Sequence, residues 1–192
     1  MATKLFGPVF ALLLVLLIAV GCSKSGGSGL EALDVETVRS MAAQAKDNIR
    51  TKVPSVVLAQ LDINPATGAQ TFRLTDAAGT VGVDVTAPSP NTPVGDWGVL
   101  VTDKTPLLGH PNNDLDLQAV TVSPAQAGEA ILDHWPGCAL RGITLAGDGQ
   151  VLIWYVFCDL PEGTVSGIVN ARTGAFTPSD APPSGPPPTA TP

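Results

Sequence analysis

Three cysteines and two histidines are the side chains of this 192-residue chain best suited to chemistry. Cys138 and Cys158 stand ten places either side of Asp148, within PGCALRGITLAGDGQVLIWYVFCD (136–159). They do not form a C-x-x-C, and Arg141 is the one basic residue near enough in sequence to lower a thiol pKa. That pattern points to a structural disulfide rather than redox chemistry. A hairpin turning about Asp148 would pair residues whose numbers sum to 296: Leu145 with Val151, Ile143 with Ile153, Gly142 with Trp154, and Cys138 with Cys158. Directly opposed Cα atoms lie ~4.5–5.5 Å apart, within reach of a disulfide. This register expects a three- or five-residue loop. It also puts Val151, Ile153, Tyr155 and Phe157 on one strand face and Leu152, Trp154, Val156 and Cys158 on the other. A strand apolar on both faces is expected to be covered on both. One helix covers one face, leaving the other for a second sheet, a linker strand or a partner.

The remaining reactive residues support no catalytic site. His134, in LDHWPG, falls at a helix end, where a protonated imidazole suits the helix dipole. His110, in GHPNNDLD, is close in sequence to Asp114 and Asp116, but one imidazole and two carboxylates in a Pro/Asn loop match no metal-ligand spacing. Ser123 is explained as a helix cap, and no G-x-S-x-G surrounds any serine. No glycine-rich phosphate loop is present. Trp97, Trp135 and Trp154 read as core residues. The expectation is therefore no catalytic residue, no metal and no cofactor.

Compartment is written at the N-terminus. Lys4 precedes the apolar run LFGPVFALLLVLLIAVGC, which is shorter than the ~20 residues that span a bilayer and is interrupted by Pro8. The layout is that of a secretory signal over residues 1–21. The stretch IAVGC resembles the lipobox of bacterial lipoproteins, with Ala19 where Leu is commoner. That resemblance implies cleavage after Gly21 and acylation of Cys22 by chains such as palmitate. Each buried methylene contributes ~0.8 kcal/mol, and more than one chain holds a protein durably on a membrane. Residues 22–33, with SKSGGSG, have the composition of a flexible tether. The whole chain carries a formal net charge of −7, and loss of Lys4 with the signal makes it more negative. Such a chain, without a Lys/Arg cluster, suits neither nucleic acid nor an electrostatic grip on anionic lipid. The membrane contact is expected through lipid, on the extracytoplasmic face. Ser23 in place of aspartate favours the outer membrane in a diderm cell, and the cell membrane is expected otherwise.

Downstream, Val35, Val38, Ala42, Ala45 and Ile49 recur at steps of three and four, marking one helix face capped by Asp34 and closed by Pro54. SVVLAQLDI, the turn NPATG and AQTFRLT read as a β-hairpin, and AAGTVGVDVT as a third strand. A second helix opens with Ser123 as cap, Pro124 at its first position and Gln126 completing a capping box. CALRGITL, QVLIWYVFC and EGTVSGIVNA follow as strands. Ala43–Ile63 aligns with Ala125–Leu145 at a constant offset of 82, with six of 21 positions identical. The expected fold class is α+β, in two repeated units, each one helix packed on a small antiparallel β-sheet. The units would span 34–104, including a linker strand in DWGVLVT, and 119–176, joined by a linker at 105–118. Residues 177–192, rich in proline, read as a disordered tail.

The second unit, with SPAQAGEAILDHWPG, VLIWYVF and GTVSGIVNARTGAF, resembles the PepSY family. The resemblance implies a helix on a small sheet, no catalytic residues, and an inhibitory or protein-binding role, a peptidase being one implied target. The leading expectation is a non-enzymatic lipoprotein that binds a protein or peptide. The alternative is a carrier or sensor of a small apolar ligand held between two sheets. An exposed apolar patch or open sheet edge favours the first, and an enclosed pocket the second. At the N-terminus, mass spectrometry of membrane-purified protein is expected to find a lipid-modified N-terminal Cys22. A chain beginning at Met1 without modification would refute the signal assignment.

Overall fold

The computed structural model describes residues 29–179 except 77, 80, 103–113 and 149–150. Cys22, His110, the signal and the proline-rich segment from Asp180 lie outside the described residues. Helix α1 (Val35–Ile49) starts where the Asp34 carboxylate accepts from the Thr37 N–H at 2.7 Å, and it buries Val38, Met41, Ala42, Ala45 and Ile49. Helix α2 (Pro124–His134) begins with the capping box anticipated from Ser123 and Gln126, whose side chains and backbone N–H groups bond reciprocally. It buries Pro124, Ala127, Gly128 and Ile131. The core reaches back to Leu30 and Leu33, both buried, so the folded body begins inside the segment read as tether.

Among the described residues, eight antiparallel strands accompany the helices: β1 (Val56–Ile63), β2 (Gln70–Asp76), β3 (Gly82–Ala87), β4 (Gly98–Thr102), β5 (Ala139–Asp148), β6 (Val151–Leu160), β7 (Gly163–Asn170) and β8 (Phe176–Ser179). They form one sheet in the order β4-β3-β2-β1-β5-β6-β7-β8. The expectation of two repeated units, each a helix on its own small sheet, is therefore incorrect. The strands β1 and β5, which would have been open edges of two small sheets, pair with each other from Gln60↔Ala146 to Ile63↔Ile143. Satisfying those edge donors and acceptors fuses everything into one sheet-dominated body.

A single file of opposed residues shows how the core is built. Val99, Val85, Phe72, Leu61, Leu145, Trp154, Val169 and Phe176 lie side by side across all eight strands. The six from Val85 to Val169 are almost wholly buried and share one apolar cluster with the inner faces of both helices. Trp154 also donates its indole N–H to the Val122 carbonyl at 2.9 Å, fastening β6 to the approach of α2. Phe72 stacks on Trp97, whose indole donates to the Thr92 carbonyl at 2.9 Å. At the β4 end of the file Val99 is 40% exposed, whereas Phe176 at the other end packs against His134 of α2.

Two hairpin loops use the same device. Asn64 accepts from the N–H groups of Ala66 and Thr67, as Asn170 does from Arg172 and Thr173. Each loop ends in a glycine at positive φ, Gly68 at 73° and Gly174 at 75°. At Gly68 the need is doubled, because a Cβ there would lie 2.5 Å from the Gly29 carbonyl oxygen. Strand β8 occupies residues 176–179, so the first positions assigned to the tail are sheet.

Cys138 and Cys158 form the anticipated disulfide, with Cα atoms 5.7 Å apart. The register that led to it is wrong. Asp148 pairs with Val151, Leu145 with Trp154, Ile143 with Val156 and Gly142 with Phe157, which leaves two residues in the turn. An irregularity between Leu140 and Gly142 then shifts the pairing by one, so that Cys158 faces Leu140 and Cys138 stands just ahead of β5. The bulge shifts the strand by one residue toward the pairing that brings the cysteines together. The two-faced character of β6 is as expected, but among the described residues no second sheet lies on its outer face, because the first four strands continue the same sheet.

Denatured, unreduced protein from an oxidising compartment is expected to show neither Cys138 nor Cys158 as a reactive thiol. Replacing both with serine is expected to lower stability by about 3 kcal/mol in the loop-entropy account, read from urea midpoints. An unchanged midpoint would remove the structural role.

Candidate functional site

The residues suspected of chemistry are mostly occupied by structural work. Ser123 is the α2 cap. His134, exposed at the end of α2, sits edge-on to Trp135 with centroids 4.4 Å apart and leans on Phe176 at 5.2 Å. Asp114 pairs with Lys46 at 2.6 Å and accepts from the Leu58 backbone at 2.8 Å, tying α1 to β1. Asp116 caps the short 3₁₀ turn Leu117–Ala119 by accepting from the Gln118 N–H at 3.1 Å. Both carboxylates suspected beside His110 are thus engaged. Among the described residues no three His, Cys, Asp or Glu side chains converge as metal ligands would.

A polar constellation that the strand alternation did not reveal lies on the sheet face away from the helices. Asp62, on β1, is 6% exposed. Its carboxylate accepts from Gln60 Nε2 at 2.8 Å, from Thr144 Oγ1 at 2.7 Å on β5, and from Arg73 Nε on β2. Arg73 also approaches Asp84 of β3 at 3.9 Å. The group is a carboxylate–guanidinium–carboxylate chain crossing three strands, with one cation between two acids and Thr144 joining from β5. Asp84 Oδ1 is buried without a hydrogen-bond partner. Burial pushes the Asp84 carboxyl above the ordinary value of 3.8, Arg73 opposes this, and the Asp62 charge adds to the rise. The arrangement stores charge in the sheet, and the Thr144 hydroxyl that donates to Asp62 is fully buried. Its sequence signal was available in AQLD and TFRLT, where polar or charged residues occupy alternate strand positions; what each would face was not.

Among the described residues, two recesses flank α1. Between α1, α2 and the sheet, Val35, Val38, Leu117, Val120, Pro124 and Trp154 surround a gap with no room for a water molecule. Along α1, Arg39, Lys46, Asp114 and Asp116 border an open groove of about 380 Å³. Its cations are committed: Arg39 donates to the carbonyls of Leu117, Gln118 and Val120 and pairs with Glu36, and Lys46 pairs with Asp114. Neither is an enclosed apolar pocket. The single sheet also removes the space between two sheets in which a carried ligand was expected.

The sheet edges differ from one another. Strand β8 is four residues long and contains Pro178, which lacks a donor. Strand β4 reads Gly-Val-Leu-Val-Thr, with no charge and no proline. Val99, Leu100 and Val101 are 40%, 62% and 63% exposed. Among the described residues, no strand pairs with its outer side. Natural edges are normally blunted by charge, proline or a bulge, and an unblunted apolar edge is a template for another strand. Sequence reading placed a strand in DWGVLVT but had no means to tell that it would be terminal.

No family model matches the chain, and no curated protein is similar to it in sequence. The PepSY resemblance thus rests on the quoted segments alone. Among solved structures, the chain is similar to a "putative lipoprotein (CD1622)" from Clostridium difficile 630, at 17% identity and a TM-score of 0.51, over 69% of this chain and 87% of that one. The two share a fold.

The Asp84 carboxyl gives the polar face a pH signature. Its proton is held more tightly in the folded than in the unfolded chain, so its contribution is complete below the unfolded value and is lost as pH rises through the folded one. Asp84→Asn is expected to gain stability relative to the parent progressively above about pH 4, measured as urea midpoints from acidic to neutral pH. Parallel profiles would show that Asp84 ionises without cost.

Proposed function

We propose that the chain is a lipid-anchored lipoprotein on the extracytoplasmic face of a membrane, without enzymatic activity, which binds a protein or peptide as an extended segment along β4. The observation that carries the reading is the uncharged β4 edge with Val99, Leu100 and Val101 exposed. Strand addition draws affinity from main-chain hydrogen bonds and selectivity from alternate side chains. The lipid anchor is supported by IAVGC and by the fold shared with a structure described as a putative lipoprotein. The Cys138–Cys158 disulfide suits an exported protein. Among the described residues no helix is long and apolar enough to cross a membrane, and attachment is assigned to Cys22.

Affinity purification of the tagged, lipidated full-length chain from solubilised membranes tests this. The parent and Glu129→Lys, altered on the exposed side of α2, should retain the same bound polypeptide. Leu100→Lys, which places a charge on the edge, should lose it. Equal retention by Leu100→Lys would move the binding surface elsewhere.

A further inference from the structure

Resting on that reading of the edge, we infer that the segment pairing with β4 is β4 of a second copy of this chain. The strand is close to palindromic about Leu100, with valine on either side and the small residues Gly98 and Thr102 at its ends. A two-fold axis at Leu100 makes an antiparallel pair in which Leu100 faces Leu100 and Val99 faces Val101 twice. A two-fold interface demands such self-complementarity, whereas an unrelated strand has no use for it.

The side-chain faces agree with this arrangement. Val99 and Val101 pair with Val85 and Val83, so they lie on the helix-covered face of the sheet. In the paired form the valines of two copies would prolong the apolar file of each sheet across the junction. Leu100 pairs with Asp84 and therefore lies on the other face, where two leucines would meet at the axis. No residue of β4 is charged, so two acidic chains meet without like charges opposed in the strand pair. The other edge, carrying Pro178, offers no comparable continuation, so pairing closes at two copies. Five residues make a small contact, weak between freely diffusing molecules. Anchoring both copies on one membrane raises their effective concentration without adding any contact.

Cysteine substitution in the full-length lipidated chain, exported to an oxidising compartment and run without reductant, tests the pairing. Leu100→Cys is expected to yield a covalent dimer, because directly opposed Cα atoms are ~4.5–5.5 Å apart. Val99→Cys and Val101→Cys chains, expressed together, are expected to link to each other more than either links to itself. Glu129→Cys, exposed on α2, should give several-fold less dimer than Leu100→Cys, with Cys138–Cys158 intact by peptide mapping in every variant. Equal dimer from Glu129→Cys would overturn the inference, since it would report collision rather than register. An adduct of Leu100→Cys with a different polypeptide would overturn self-pairing and leave the edge as a strand-docking site. A Leu100→Cys chain recovered only as monomer, with no adduct, would overturn both readings.

Discussion

The pairing of β1 with β5 is the constraint on which the rest of this molecule depends. Four residue pairs, from Gln60↔Ala146 to Ile63↔Ile143, join positions 80 to 86 apart in sequence. On the helix side the seam buries Leu61 and Leu145 together with Ile63 and Ile143. On the other side Thr144 donates to Asp62 across it at 2.7 Å. The backbone ladder, apolar contact and a buried hydrogen bond therefore act at the same place. Without the seam, each half would expose a central strand edge and part of its core. With it, both helices lie over one continuous sheet and contribute to one cluster.

Closing the centre moves the problem of unpaired strands outward. An eight-stranded open sheet has two edges, and this one treats them differently. The β8 side is short, carries Pro178, and packs Phe176 against His134 and Trp135. The ring of Phe176 lies so close to Gly167 that any Cβ there would fall 2.3 Å from it. Among the described residues, the β4 side has none of these protections beyond the anchoring of Trp97 on Phe72 at its entrance. The proposed strand pairing draws on this asymmetry between an insulated edge and an apolar one.

The two faces of the sheet are equally unlike. One is a conventional apolar layer beneath the helices. The other carries the chain from Asp62 through Arg73 to Asp84, in which burying the charges is offset by hydrogen bonds at Asp62 but incompletely at Asp84. Buried ion pairs of this kind contribute little net stability, and removing one partner leaves the other uncompensated. Their position across β1, β2 and β3, with Thr144 of β5 bonded to Asp62, suits a role in holding strand register at the seam.

The sequence by itself determined whatever depends on neighbours along the chain. Both helices, their Asp34 and Ser123 caps, the Asn64 turn and the alternating faces of β6 follow from local stereochemistry and periodicity, and all were legible. The disulfide was legible too, because two cysteines flanking a hairpin can meet in more than one register. The register itself was not, since a bulge near Arg141 changes the pairing without changing the hydrophobic pattern. Likewise, nothing in AQLDI or RGITL says that each strand's outer edge will find the other, so the number of sheets was misread. The polar chain at Asp62 and the open edge at β4 were hidden for the same reason. Which strand becomes central, which terminal, and which charges face one another is decided by long-range backbone pairing, and local pattern carries no record of the partner.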